Sequence, residues 1–262
     1  MSKETPKRAR IKLEADQITN DYVKIAQNTC NMLAFISSNL QGIPFKDIPP
    51  PPVFTSFNLG QIEYVGDKRI YLDMWLYNHG VNDIIKGVNL SLARANYFSD
   101  LMSLQGKKMT VKDYEEFEKK TNKKYLRKDL PALIESTGYL VAKPLKYSDH
   151  IISINNIRKC LEHRVGKVTE IDAKTEVEEK LVLNLKWIAL QLSLVRDGKE
   201  IIIEKPGFKV ERGEKIINGY VEKQRNFEIG EYIRLDLADF FQLALTGYLF
   251  VKHIADNFKF RK

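Results

Sequence analysis

Residues Ile151 to Gly166 read Ile-Ile-Ser-Ile-Asn-Asn-Ile-Arg-Lys-Cys-Leu-Glu-His-Arg-Val-Gly. At about 100° per residue, Ile151, Ile154, Ile157, Leu161 and Val165 fall within an arc of about 120°, so this stretch predicts a helix with one apolar face toward a core. Ser148 or Asp149 is placed to cap it, and it should run to about His163. Lys159 and His163, four residues apart, share the polar side. Arg158 lies inside one edge of the apolar stripe, about 140° round from His163 and about 7.5 Å from it along the axis. The two side chains do not stack. They could converge through the length of Arg158, through loosening of the last turn, or by pairing with a second copy of the helix about a two-fold axis, and the last of these fits best.

Working outward, residues 12–40 read as a first helix, with Ile18, Tyr22, Ile25, Met32, Ala34 and Phe35 as its apolar stripe. Pro44 and Pro49 to Pro52 interrupt it, and residues 43–53 read as a stiff Pro-rich connector. A long helical pattern follows over 67–104, with a possible bend at Gly80 or Gly87, and Gly106 stops it. Thr110 is placed to cap a short charged helix to about Lys120. Another helix covers 128–137, with Pro131 in its first turn. After Gly166 the pattern changes. Leu181, Leu183 and Leu185 alternate as in a strand, although 181–194 could be partly helical. Arg196-Asp197-Gly198-Lys199 signals a hairpin leading into Ile201 to Ile203, and Pro206-Gly207 a further turn. Short strands are expected at 216–221 and 231–235, and a closing helix from about Asp236 to Asn257. The fold class expected is α+β, mainly α: one domain over 1–262 built as a helical bundle, with a basic arm at 1–11 and a β-rich insertion at 167–232 before the C-terminal helix.

The 262 residues carry 44% hydrophobic side chains and a formal charge of +8. That composition suits a folded core and excludes a disordered chain. Lys3, Lys7, Arg8, Arg10 and Lys12 face only Glu4, and nine basic side chains face four acidic ones between Lys107 and Lys128. Such clusters attract polyphosphates; solvated, salt-bridged helix faces are the ordinary alternative. Cys30 and Cys160 form neither a disulfide framework nor a zinc pattern, and the four histidines are scattered, so no metal and no cofactor are expected. The charged N-terminus is not followed by an apolar leader, and the apolar run from Phe240 to Val251 is too short to span a bilayer. A soluble protein of a reducing, cytoplasmic setting is expected.

Arginine binds phosphate oxygens in a permanently charged fork, and histidine as a residue type transfers protons near neutrality. Arg158 and His163 therefore supply the two operations of metal-free RNA cleavage. The bland alternative is that Arg158, Lys159, His163 and Arg164 only complement the dipole at a helix C-terminus, for about 0.3–1 kcal/mol each. Other groups read as structural: the pairs Glu115/Glu116 and Glu178/Glu179 as solvated faces, His79 as packed near Trp75 and Tyr77, and Trp187, Phe240, Phe241 and Tyr248 as core.

The spacing arginine, four residues, histidine, together with the apolar residues before Arg158, the run Cys160-Leu161-Glu162-His163-Arg164 and Gly166, resembles the HEPN superfamily of helical nucleotide-binding and ribonuclease domains. The resemblance covers the motif helix closely and the surrounding bundle in outline. It implies a metal-independent endoribonuclease of a toxin–antitoxin or anti-phage system, acting as a homodimer on RNA, with an antitoxin or other regulatory protein as a further partner and no membrane. Arg158 and His163 would be the catalytic pair, and Lys159, Arg164, Asn155 and Glu162 the substrate-binding residues around them. Asn155, Lys159 and His163 would lie near the two-fold axis, with Glu162, Asp73, Asp83 or Asp100 offsetting the charge. In the family the residue after the arginine is usually Asn, Asp or His. Lys159 stands there instead and cannot accept a hydrogen bond. That departure motivates the alternative of a non-catalytic bundle that binds a nucleotide, RNA or a protein, and a third reading is a basic helical interaction protein.

Overall fold

The computed structural model describes residues 12–40, 68–203, 209–211 and 214–260; the basic arm, the Pro-rich connector and Pro206-Gly207 lie outside them. Among the described residues, six helices and a four-stranded antiparallel sheet make the fold α+β and mainly α. The helices are α1 (Asp16–Leu40), α2 (Lys68–Met102), α3 (Val111–Leu126), α4 (Leu130–Gly138), α5 (Ser148–Arg164) and α6 (Leu237–Asn257). The strands β1 (Thr175–Val177), β2 (Lys180–Arg196), β3 (Lys199–Ile202) and β4 (Lys215–Glu228) all fall between α5 and α6. No helix among the described residues is long and apolar enough to cross a membrane.

Helix α2 is the axis of the bundle and packs on each of the other five helices. The helix is continuous through Gly80 and Gly87, and both are points of close approach: a Cβ on Gly80 would lie 2.9 Å from Leu33 Cδ1, and one on Gly87 would lie 2.9 Å from Tyr22 Cδ2. The apolar stripe of α1 turns on Ile18, Tyr22, Ala26 and Leu33, whereas Met32 and Phe35 are exposed. Thr110 and Asp113 form a reciprocal capping box for α3, which runs two turns beyond the expected Lys120. Asp236 and Asp239 do the same for α6. Each box satisfies backbone N–H groups that have no partner inside the helix.

The whole of 180–196 is one extended strand with no helical portion. It pairs with β4 over its full length, from Val182 opposite Glu228 to Val195 opposite Lys215. β1 and β3 pair with the two ends of its other edge. The turn Asp197-Gly198 joins β2 to β3 with φ of 49° and 74°, the left-handed pair that a two-residue hairpin demands. Between β1 and β3 the edge of β2 is closed by side chains of two helices. Ser153 Oγ donates to Asn184 O and accepts from Lys186 N, both at 2.8 Å, and Thr246 Oγ1 accepts from Ile188 N at 2.9 Å. Leu183, Leu185, Trp187 and Ala189 then face the helical core. Residues 231–235 form no strand. They run back along the segment after α5, with a single bridge between Lys167 and Tyr232. Phe240 and Trp187 are core, while Phe241 and Tyr248 are exposed.

Candidate functional site

Helix α5 is held by burial of Ile151, Ile154, Ile157, Cys160 and Leu161 against α2, α6 and β2. Neither Ser148 nor Asp149 caps it: the N-cap is Tyr147, left-handed at φ 66°, with no side-chain bond to the helix end. At the other end Val165 and Gly166 both adopt positive φ, 51° and 76°. The amide of Gly166 closes on Cys160 O at 3.1 Å. This left-handed exit takes Val165 off the helical projection, so it is exposed and not part of the apolar face.

The guanidinium of Arg158, 23% exposed, lies against three acceptors. Its Nε donates to Asn155 Oδ1 at 3.0 Å, and its Nη1 reaches Asn82 Oδ1 on α2 at 3.4 Å and Glu162 Oε2 at 2.6 Å. His163 Nε2 stands 3.9 Å from that same Glu162 oxygen, on an imidazole that is 59% exposed. Arg158 and His163 thus meet within one chain, through the reach of the arginine and one carboxylate between them. The second copy of the helix is not needed to bring them together. Among the acids expected to offset the charge, Glu162 pairs with Arg158. Asp83 accepts from Thr29, and Asp100 accepts from Lys124 and Tyr125 at the far end of α2. Asp73 lines a recess beside Leu161.

The other expected residues divide. Lys159 is exposed and free to meet a ligand, but Asn155 is buried beneath Arg158 and orients it from behind. Arg164 is committed elsewhere. It forms a bidentate pair with the buried Asp172, Nε to Oδ2 at 2.6 Å and Nη2 to Oδ1, while Asp172 also accepts from the backbone and hydroxyl of Thr169. Burial works to raise the Asp172 carboxyl, yet the bonds from Arg164 and Thr169 hold it below its usual range. The same desolvation pushes the nearby Cys160 thiol up to about 11. That removes it as a nucleophile at neutral pH.

His150, in the first turn of α5, is buried and pairs with Glu222 of β4 through Nε2 at 3.0 Å. Sequence reasoning gave no sign of Asn82, which joins the site from 76 positions away. It also missed the recess of about 150 Å³ formed by Asp73, Met74, Tyr77, Leu161, Ile233, Arg234 and Leu235. The basic run of α3 meets the C-terminal end of α2 where Lys124 bonds Asp100, which lies about 27 Å from Asn82 by helix rise. Among the described residues no group of three or more His, Cys, Asp or Glu side chains is placed to hold a metal ion.

What this arrangement offers chemically is a half-buried, oriented guanidinium, a carboxylate and an exposed imidazole within reach of one anionic oxygen. Comparison with protein-family models, with curated proteins and with solved structures finds no match for this chain.

Proposed function

We propose that the protein is a HEPN-like, metal-independent RNA endonuclease whose site is built on the C-terminal half of α5. The observation that carries this reading is the meeting of Arg158 and His163 at one point on the surface, marked by Glu162 Oε2. An RNA phosphate seated there would receive Arg158 on its non-bridging oxygens, where charge grows in the phosphorane. His163 would move a proton as general acid or base, giving a cyclic phosphate and a 5′-hydroxyl. Lys159 would add a phosphate contact from the exposed side. The recess beside Leu161, apolar with Asp73 and Arg234 among its lining residues, suits a planar base. The exposed cations of α3 give an extended strand a second contact. A homodimer and a neutralising protein partner belong to the same reading.

Purified protein incubated with mixed RNA in EDTA should cleave it, and His163→Ala should lower the rate by about 10²-fold or more. Cleavage abolished by EDTA, or unchanged in the variant, overturns the reading. Lys159, in place of an acceptor beside the arginine, favours the non-catalytic alternative. Binding of RNA that weakens in Arg158→Ala, with no turnover by the native protein, would select it.

A further inference from the structure

We propose that Glu162 is the third reacting group of this site. Its carboxylate occupies the seat of the phosphate in the free protein and, once displaced, takes the proton of the 2′-hydroxyl, leaving His163 to protonate the departing oxygen. The inference rests on the ribonuclease reading above and goes beyond it in assigning the base.

Arg158 is oriented by two neutral amides, Asn155 Oδ1 and Asn82 Oδ1, which fix its direction without cancelling its charge. The ion pair at the site is the one with Glu162, which also faces His163. An anionic oxygen placed between a guanidinium and an imidazole is the arrangement a phosphate oxygen would make there. Glu162 sits on the helix surface, its side chain 39% exposed, so it can swing aside when a phosphate arrives. The amides hold Arg158 in place meanwhile.

In-line transfer at phosphorus needs one group to accept a proton from the attacking oxygen and another to donate one to the leaving oxygen. Among the histidines, His150 pairs with Glu222, His253 bonds Pro144 O, and the ring of His79 turns back along α2 to Trp75 O. His163 is the imidazole that faces Glu162. The 2′-hydroxyl proton passes to Glu162, the O2′–P bond forms, the P–O5′ bond breaks, and the O5′ oxygen takes the proton of the His163 imidazolium. Solvent then returns a proton from Glu162 to His163.

The test compares the native protein, Glu162→Gln and His163→Ala on two substrates. One is an oligoribonucleotide. The other is a nucleoside 3′-(p-nitrophenyl phosphate), whose leaving group departs without being protonated. On RNA both variants should fall by about 10². On the aryl ester His163→Ala should recover to within about tenfold of the native rate, and Glu162→Gln should stay down by about 10². Glu162→Gln should also bind a 2′-deoxy-blocked RNA at least as tightly as the native protein, because the competing anion is gone. Glu162→Asp, which keeps a carboxylate, should retain part of the rate that Gln loses, and this separates the role from one in folding. Native-like cleavage by Glu162→Gln, or rescue of that variant by the aryl ester, overturns the assignment. Failure of the native protein on both substrates overturns the ribonuclease reading itself.

Discussion

Gly247→Ala is a substitution whose sign sets two effects against each other. On an exposed helix it would stabilise by about 1 kcal/mol, because alanine loses less backbone entropy than glycine. Here Gly247 lies in α6 under the ring of Tyr22, and a new Cβ would stand 2.6 Å from Cζ and 2.8 Å from Cε2, nearer still to the hydroxyl. Those atoms need about 3.5–4 Å. The ring cannot retreat, since its Cδ2 already faces Gly87 of α2 where a Cβ would lie at 2.9 Å. Tyr22 is buried, and its hydroxyl donates to Ala244 O at 2.6 Å, a bond that any shift of the ring breaks. Overpacking costs about 1–3 kcal/mol. A buried hydroxyl left without its partner costs about as much again. After the propensity gain, a net loss of about 1–5 kcal/mol follows, equivalent to a fall in Tm of about 2–20 °C for a chain of this size. Urea unfolding followed by circular dichroism should show a lower midpoint at unchanged slope. Adding Tyr22→Phe removes the nearest atom, so the double variant should be more stable than the two single losses added together, by about 1 kcal/mol or more. A Gly247→Ala protein as stable as the native one, or strict additivity in the double variant, would refute the pinched-ring account.

Two further outcomes concern the Arg164–Asp172 pair and the seam of hydroxyl contacts that Ser153 and Thr246 make along β2. The Asp172 carboxyl is held below its ordinary range, so the stability it contributes is present above the unfolded carboxylate pKa of about 3.9 and is lost as pH falls through the folded value. Asp172→Asn, which leaves Arg164 half-buried and unpaired, should cost about 3–5 kcal/mol at pH 7. Urea midpoints should show that deficit narrowing below about pH 4; an equal deficit at both pH values would show that the charge of Asp172 is not the cause. Ser153→Ala removes both bonds to the β2 edge and should cost about 1–3 kcal/mol. Hydrogen exchange should quicken at the Lys186 amide while Ile188, held by Thr246, stays protected; unchanged exchange at Lys186 would place its protection elsewhere.

The long helices were legible because their signals are local and repeated: α2 and α6 follow the apolar period, and Thr110 and Asp197-Gly198 announce their own cap and turn. Strand β4 was only half legible. Its first residues, Ile216 to Val221, read as a strand, but Glu222 to Asn226 look like loop by composition, and their extended state is set by pairing with the apolar β2. At the site, a wheel drawn on ideal geometry separates Arg158 from His163, and this holds for their Cβ directions. It says nothing of where a long guanidinium ends. The signal that was present is the i, i+4 spacing of Arg158 and Glu162, the usual arrangement of an ion pair along a helix. Asn155 was expected on the open face and is buried, since an amide that accepts from Arg158 can be desolvated at little cost. Val165 was expected inside, and the two left-handed residues at the helix end put it outside.

The hydroxyl seam along β2 has a kinetic meaning. Two long antiparallel strands can slide by two residues and still keep every side chain on its own face, so the β2–β4 ladder alone selects among several alignments weakly. Ser153 meets the strand at Asn184 and Lys186, and Thr246 meets it at Ile188. These two grips fix β2, and β4 is held to the same two helices by Glu222 on His150 of α5 and Arg225 on Asp239 of α6. The β2–β4 ladder therefore takes its alignment from the helices as well as from its own pairing. A sheet formed ahead of the bundle can wait in a shifted alignment, and docking onto α5 and α6 is the event that commits the chain to its native register.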